Sequence, residues 1–334
     1  MTLALEHVRE PADVQRWHDL VAGCTAHDHD GLTALTVGEL SVALEDPEPD
    51  EQVRAWLGVA SGEVVAAGML TLPVRDNTAT ASLEVQVRPD HRRQGHGTAV
   101  ARHGLDLVGA LGRTVVLAEV SSALTVDGGA PNAFAGSLGL RPVLEQVRRV
   151  LDLPLLDLAE VRRCRERAAG AAADYDVVAW VDRAPVGLHD DLARLSQLMS
   201  TDPPLGEMTW EPERWDAARW RLGEARWQAK GLAVVGTGAV HRPTGRLVGY
   251  STIGFVRAEP AHAYQWATIV EAAHRGHRLG MLTKAANLEL LVAQAPSAQL
   301  VNTWNAGVNE HMIAINEALG FRAVDRWTEW QLDL

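Results

Sequence analysis

Residues Val87 to Val100 read VRPDHRRQGHGTAV, a run that places adjacent arginines and two glycines between a strand and a helix. The segment before it, TASLEVQV, alternates apolar and polar residues as a half-buried strand does. From Thr98 to Leu111 the apolar residues recur every three or four positions, which predicts a helix. The sequence therefore predicts a strand, a glycine loop and a helix in direct succession.

A second copy of this pattern begins at Val270 and reads VEAAHRGHRLGMLTKAA. Gly97 is followed 41 positions later by LGLRPV (138–143), and Gly280 is followed 39 positions later by LGFRAV (319–324). Two loops in the same context, each with a matching downstream hexapeptide, indicate a duplicated domain. We expect one domain at 1–160, a charged and alanine-rich connection at 161–174, and a second domain at 175–334.

Length and composition fit two ordinary globular domains: the chain has 334 residues, of which 47% are hydrophobic. The net charge of −12 argues against a nucleic-acid binder, which needs a basic face for phosphates. No apolar run approaches the ~20 residues of a membrane span, and the first residues do not resemble a signal peptide. We therefore expect a cytoplasmic protein with a small-molecule partner, as a monomer or homodimer.

Several elements follow from local patterns. Two strand-like runs meet at Ser61–Gly62 and two more at Pro243–Gly245, which predicts two hairpins. Helices are expected from Pro11, over Asp190–Ser200 and over Pro212–Lys230.

The glycine loop is suited to an anion. A helix start leaves about four backbone N–H groups unpaired and carries roughly half a positive charge. Glycines let the backbone approach a ligand closely, and the arginines would add charge near it. A plain glycine turn beside solvated arginines is the alternative, because short glycine motifs often occur without a ligand. The patterns typical of P-loop and dinucleotide-binding proteins are absent from the sequence.

Taken together, the two loops resemble the GNAT superfamily of acyl-CoA-dependent N-acyltransferases, whose signature is [Q/R]-x-x-G-x-[G/A]. The first copy carries it intact as Arg92-Arg93-Gln94-Gly95-His96-Gly97. The second has an arginine, Arg278, where the first signature glycine belongs. The resemblance covers nearly the whole chain as two modules and is similar to the tandem arrangement of the mycothiol synthase type.

The resemblance implies an α+β fold of two tandem domains, each a mixed, mostly antiparallel sheet flanked by helices. It implies acetyl-CoA as co-substrate, a small-molecule amine as acceptor and no metal. The residues expected to hold acetyl-CoA are Val87, Arg92, Arg93, Gln94, Gly95, His96, Gly97 and Thr98, then Val270, Arg275, Gly276, His277, Arg278, Leu279, Gly280 and Met281, with Asn305, Asn309 and Asn316 near the second downstream hexapeptide.

In the family an amine attacks the thioester directly, so the site needs a base and a donor for the carbonyl oxygen. Glu84 is the candidate base of the first domain, with a surface carboxylate as the alternative. The aligned residue of the second domain is Ala267, so Glu271 is the candidate there. The family's carbonyl donor maps to Val87 and Val270. The tyrosine that often serves as acid is absent from both copies.

Two other features are open to a functional interpretation. The segment Cys24–Asp30, CTAHDHD, has the composition of a metal site but lacks the spacing of one. Trp266 and Trp304 are expected in the core, with the wall of an acceptor pocket as the alternative.

Three functions remain open. The first is acetyl transfer to a small amine by direct attack. The second is a decayed or sensory acyl-CoA-binding protein, suggested by Arg278 and the missing tyrosine. The third is transfer to a protein amine.

Overall fold

The structure is a computed structural model that describes residues 3–45, 50–126 and 128–334. The described chain forms two compact units. The first unit comprises Met1–Gln146, Leu205–Glu211 and Asp325–Leu334, and the second comprises Val147–Pro204 and Pro212–Val324. Each unit has helices on a mixed, mostly antiparallel sheet, so the predicted α+β fold is confirmed.

Among the residues that the structure describes, the sheet of the first unit has six strands in the order β1-β2-β3-β4-β5-β12, and of these only β4 and β5 pair in parallel. Its elements are β1 (Ala4–His7), α1 (Pro11–Asp28), α2 (Val37–Glu45), β2 (Glu51–Ala60), β3 (Glu63–Pro73), β4 (Thr80–Val87), α3 (His96–Ala110), β5 (Val115–Ala123), α4 (Ala130–Ser137), the start of β6 (Arg141–Asp152) and most of β12 (Arg322–Asp333).

The alternation of the strands divides the first unit's side chains between two faces of the sheet. On one face, Trp17 of α1 and Leu40 of α2 pack with Leu57 of β2. On the other face, Leu70 of β3 and Leu83 of β4 pack in the cluster that contains α3. The two faces therefore belong to different helices, and a residue's place in its strand decides which helix it meets.

The second unit repeats this plan in the order β6-β11-β10-β9-β8-β7, with β10 and β11 as the parallel pair. Its elements after β6 are α5 (Leu158–Ala169), β7 (Tyr175–Val181), α6 (His189–Met199), α7 (Ala217–Ala229), β8 (Leu232–His241), β9 (Arg246–Val256), β10 (His262–Val270), α8 (Leu279–Gln294), β11 (Leu300–Ala306) and α9 (Glu310–Ala318).

The division of the chain differs from the predicted boundaries in three places: residues 147–174 belong to the second unit, and Leu205–Glu211 and Asp325–Leu334 group with the first. Residues 325–334 group with the first unit, because β12 pairs along its length with β5, from Asp325 opposite Ala123 to Asp333 opposite Val115. The expected connection at 161–174 is largely α5, whose Val161 and Cys164 belong to a core cluster of the second unit.

Local signals were accurate where they were strong. The hairpin at Ser61–Gly62 is present, with positive φ of 53° and 82° at these residues. The helix expected from Pro212 begins later, at Ala217, because the Asp216 side chain accepts the Arg219 N–H and caps the helix there. Helix α2 was missed although its start carries a capping box. The Thr36 N–H donates to the Glu39 carboxylate, and the Glu39 N–H donates to the Thr36 hydroxyl.

Candidate active site

In the first unit, two parallel strands separate just before the glycine loop. β4 pairs with β5 only from Thr80 to Ser82, and the register ends there. The Arg88 N–H points to the other side, where it donates to the Val65 carbonyl of β3 at 3.0 Å. Because N–H groups alternate in direction along a strand, the Val87 N–H faces the opening between β4 and β5.

The second unit has the same opening. β10 pairs with β11 only from His262 to Tyr264. The Glu271 N–H donates to the Val248 carbonyl at 2.9 Å, so the Val270 N–H faces the gap. The structure thus brings both expected carbonyl donors, Val87 and Val270, to the place where a strand parts from its neighbour.

Each loop contains two left-handed residues in equivalent positions. In the first loop these are Arg93 (φ 63°) and Gly95 (φ 86°), and in the second they are Gly276 (φ 86°) and Arg278 (φ 55°). The helix begins directly after the second of these residues, and no side chain caps it in either unit. The backbone N–H groups at the start of α3 and α8 are therefore left for a ligand. They belong to His96, Gly97 and Thr98, and to Leu279, Gly280 and Met281.

The last signature glycine of each loop allows a close approach between elements. A Cβ on Gly97 would lie 3.3 Å from Val87 Cγ2 and 3.4 Å from Phe134 Cζ. A Cβ on Gly280 would lie 3.2 Å from Ile315 Cδ1. A side chain at either position would push the helix start away from the element it packs on.

The leading arginine of each loop does not supply the free charge that was expected. Arg92 donates to the Val87 carbonyl and to both carboxylate oxygens of Asp28. Arg275 donates to the Val270 carbonyl and to Asp202. These guanidinium groups are used within the protein, since carboxylates neutralise both.

The remaining loop side chains differ in exposure. Arg93 and Arg278 are exposed and form no ion pair with any described residue, so they are the free cations of the two loops. Gln94 and His277 are exposed as well, whereas His96 is buried. The His96 Nε2 has no hydrogen-bond partner among the described residues.

Glu84 lies on the face of the first sheet that α1 and α2 cover. Its partner across β3 is Met69, which packs in the cluster of those two helices. The surrounding protein removes hydration from Glu84, and the charge of Glu119 adds to this, so the pKa of Glu84 rises to about 7. The side chain is nonetheless exposed to water beside the opening between β4 and β5, and this exposure tempers the shift. We call this exposed region the cleft of the first unit.

Two further carboxylates continue this line across the sheet. Glu119 of β5 and Glu329 of β12 stand directly opposite each other and share a hydrogen bond. Loss of hydration raises the pKa of both groups, and the charge of Glu119 helps to raise the pKa of Glu329 to about 8. We call Glu84, Glu119 and Glu329 the acidic row. Sequence reasoning missed the last two, because only the pairing of β5 with β12 brings them together.

The corresponding face of the second unit is aromatic. Tyr264 of β10 and Trp304 of β11 stack with their planes 10° apart. Trp266 of β10, which is 39% exposed, lies 5.1 Å between ring centroids from Trp227 of α7. Trp266 is thus not a core residue.

Glu271, the candidate base of the second unit, is held by a cation. Its Oε1 lies 2.8 Å from Arg194 Nη1 of α6. The carboxylate of Glu271 is thus engaged within the protein, and its role as a base stays a prediction.

The three asparagines near the second downstream hexapeptide also have internal partners. Asn309 caps α9 by accepting the Met312 N–H at 3.2 Å. Asn316 is fully buried and bridges Lys284 of α8 and Asn305 of β11. Burial lowers the pKa of Lys284 to about 7. Asn305, at the end of β11, and Asn309 are part-exposed.

Two kinds of feature are absent from the described residues: a metal-binding cluster and a membrane-spanning helix. Within the parts of the chain that the structure describes, no group of three or more His, Cys, Asp and Glu side chains is arranged to hold a metal ion. No helix among residues 3–45, 50–126 and 128–334 is long and apolar enough to cross a membrane.

Comparison with solved structures identifies relatives of the whole chain. A tandem GNAT protein from the clavulanic acid biosynthesis pathway, solved without AcCoA, is 29% identical with a TM-score of 0.80, covering 99% of this chain and 98% of that one. A GCN5-related N-acetyltransferase from Sphaerobacter thermophilus has the same fold, with a TM-score of 0.62 at 17% identity over 99% of this chain and 95% of that one.

Among curated proteins, a mycothiol acetyltransferase from Mycobacterium sp. (strain JLS) is 34% identical over 145 residues. That match covers 42% of this chain and 43% of the relative, so the chain spans less than half of the relative's length. No family model matches the sequence. The likeness to the clavulanic acid pathway protein, however, extends over both units and includes each unit's strand, loop and helix. The chain is therefore a tandem GNAT protein.

Proposed function

We propose that the protein is an N-acetyltransferase that moves an acetyl group from acetyl-CoA to a primary amine of a small molecule, with the first unit as the site of transfer. The observation that carries the proposal is the position of Glu84. It lines an open cleft beside the separated strands, with a pKa of about 7. A carboxylate tuned toward neutral pH is suited to accept a proton from an ammonium group.

The donor side of the cleft fits acetyl-CoA. The free N–H groups at the start of α3 can hold the pyrophosphate, and exposed Arg93 adds charge beside them. The Val87 N–H can donate to the thioester carbonyl as negative charge develops on its oxygen. In this proposal, the N–H groups at the start of α3, Arg93 and the Val87 N–H together bind acetyl-CoA.

The transfer balances with these groups. The ammonium substrate gives a proton to Glu84, and the free amine nitrogen bonds to the thioester carbon. The carbon–sulfur bond then breaks, and the thiolate leaves with its electron pair and takes the proton that the attacking nitrogen loses, either directly or through a water molecule. Glu84 then returns its proton to the solvent. No described side chain of α4 has to act as acid for this sequence.

The acidic row supports a cationic acceptor. The pKa of Glu329 is about 8, so Glu329 is mostly protonated at neutral pH and shares its proton with Glu119. Glu119 is therefore the group of this pair that extends the negative charge beyond Glu84. A substrate that arrives as an ammonium ion is attracted by this charge, and a carboxylic acid is repelled.

For the second unit we propose acetyl-CoA binding without transfer. Its loop and opening repeat those of the first unit, which supports binding of the same donor. The position of Glu84 is taken by Ala267, and Glu271 is paired with Arg194. The decayed, non-catalytic function therefore applies best to this unit alone.

The test is Glu84→Gln, with release of CoA measured over a panel of primary amines. We expect kcat/KM to fall roughly 10²- to 10⁴-fold, the usual contribution of a general base. Asp106→Asn on α3 is the matched control, because Asp106 is an exposed carboxylate of the same unit. Wild-type protein that binds acetyl-CoA but acetylates no amine would support the decayed alternative for both units.

A further inference from the structure

The leading arginine of the first loop joins three elements. Its Nε lies 3.0 Å from the Val87 carbonyl at the end of β4. Its Nη1 and Nη2 lie 2.9 Å and 2.5 Å from the two oxygens of Asp28, the last residue of α1. The end of β4, the glycine loop and the end of α1 are thus tied together by one side chain, Arg92.

Without Arg92, the negative charge of Asp28 would be destabilised by its surroundings. A carboxylate at the end of a helix faces the negative pole of the helix dipole. Burial also opposes its charge, yet hydrogen bonds from Arg92 and His27 lower the pKa of Asp28 overall. Since the contact is bidentate, it fixes the direction of the guanidinium plane as well as its distance.

The second unit has the same connection with a different sequence around it. Arg275 Nε lies 3.1 Å from the Val270 carbonyl, and its Nη2 lies 2.6 Å from Asp202, which follows α6. Asp28 stands in AHDHDG and Asp202 in MSTDPP, so the surrounding segments differ. The contact is therefore present in both copies although the segment that supplies the acid is not alike.

The carbonyl that the arginine holds belongs to the residue whose N–H faces the opening. The Val87 carbonyl and the Val87 N–H belong to neighbouring peptide planes, and in an extended strand both point to the same side. Holding the carbonyl therefore restrains the direction of the Val87 N–H through the φ and ψ angles of Val87. Catalysis by a carbonyl donor depends on that direction, since misplacement by about 1 Å can cost on the order of 10²-fold in rate.

We propose that Asp28 is a positioning residue, which acts through Arg92 to aim the Val87 N–H at the thioester carbonyl. The proposal rests on the proposed function of the first unit. It assigns Arg92 to the geometry of the site and leaves the pyrophosphate to the backbone N–H groups and Arg93. Asp202 and Arg275 form the equivalent pair of the second unit.

Two variants separate this role from direct contact with the pyrophosphate. If Arg92 held the pyrophosphate, Arg92→Gln would weaken acetyl-CoA binding and Asp28→Asn would strengthen it by freeing a charge. If Arg92 positions the strand, both variants lower kcat by roughly 10- to 100-fold. Both then leave the Kd for acetyl-CoA within about threefold, because the backbone donors remain.

The experiment combines steady-state kinetics, calorimetry with acetyl-CoA, and amide hydrogen exchange over residues 85–98 in the free protein. The variants are Asp28→Asn, Arg92→Gln, the double variant and the conservative Asp28→Glu. Asp19→Asn is the matched control, because Asp19 is an exposed carboxylate of the same helix that accepts a hydrogen bond from Gln15. We expect faster amide exchange over residues 85–98 in the Asp28 and Arg92 variants. The kcat of the double variant should be no lower than that of either single variant, because both changes remove the same contact. Asp28→Glu should recover part of the lost kcat.

The measurements of exchange, kcat and affinity can each contradict the proposal. Unchanged exchange over 85–98 in Asp28→Asn overturns the proposal, whatever the activity. Faster exchange with unchanged kcat overturns the positioning role, as does a loss confined to acetyl-CoA affinity. Wild-type protein without turnover refutes the proposed function instead, and the exchange measurement still shows whether Asp28 orders the strand and loop.

Discussion

The sheet faces on which we place the acceptor carry different side chains in the two units. The first carries Glu84, Glu119 and Glu329, and the second carries stacked and part-exposed aromatic rings. The donor sides remain alike, with the same opened strands and uncapped helix starts. After duplication, the part built from backbone was kept, whereas the part built from side chains diverged.

The loops show how backbone geometry can survive changes of residue. Each has two left-handed positions, one occupied by glycine and one by arginine, but in opposite order. Glycine adopts this conformation freely, and another residue there costs on the order of 1–3 kcal/mol. Both loops therefore accept one strained arginine, and in both it is the exposed cation beside the helix start.

The largest expected effect is on acetyl-CoA binding, and it comes from placing a bulky side chain in one of the two glycine loops. Calorimetry should give two acetyl-CoA sites in the wild type and one in either Gly97→Trp or Gly280→Trp, because a side chain displaces the helix start. Turnover should fall at least roughly 10²-fold in Gly97→Trp and much less in Gly280→Trp. Circular dichroism of both variants shows whether each remains folded, and equal loss of turnover would contradict the assignment of transfer to the first unit.

A smaller effect concerns pH. The base must be ionised to accept a proton, so kcat/KM should rise with pH through the pKa of Glu84, about 7. Glu119 helps to raise that pKa, so Glu119→Gln should move the inflection to lower pH. A pH–rate profile checks both statements. An inflection that persists in Glu84→Gln would mean that another group is titrating.

The acidic row should also make stability depend on pH. The folded-state pKa of Glu329, about 8, lies above its ordinary value of 4.5, so the folded protein binds more protons between these values. Stability from this group is therefore present at low pH and lost as pH rises through about 8. Glu329→Gln should raise Tm above pH 8, by roughly 2 °C or more, and have little effect near pH 4. An equal shift at both pH values would indicate a packing effect instead.

The smallest expected effect is on stability, and it comes from exchanging glycine and arginine at one left-handed position of each loop. Arg278→Gly should relieve the left-handed strain and stabilise the second unit by about 1 kcal/mol, after the entropy of the new glycine is subtracted. Gly95→Arg should destabilise the first unit by a similar amount. Urea denaturation of both variants measures the difference. If neither changes stability, the left-handed conformation is not a source of strain in these loops.

The sequence predicted what local patterns can encode. The two loops and the Ser61–Gly62 turn depend on neighbouring residues, and each lies where it was expected. Glu84 could be chosen because it precedes a recognisable loop. Glu119 and Glu329 could not, since residues 210 positions apart in sequence meet only through strand pairing. The arginine contacts were equally hidden, because Asp28 and Arg92 are 64 positions apart.

The place of β12 has a consequence for how the protein is made. Residues 325–334 complete the first sheet, yet they follow the whole second unit in the chain. During synthesis the first unit must wait with the edge of β5 unpaired while the ribosome adds nearly 180 residues between Gln146 and Asp325. An open strand edge is a template for aggregation, so a nascent chain exposes its riskiest surface for that whole interval. Glu329 lies on β12 and is translated near the end of the chain. The acidic row of the first unit is therefore completed last, although the glycine loop of that unit is translated early.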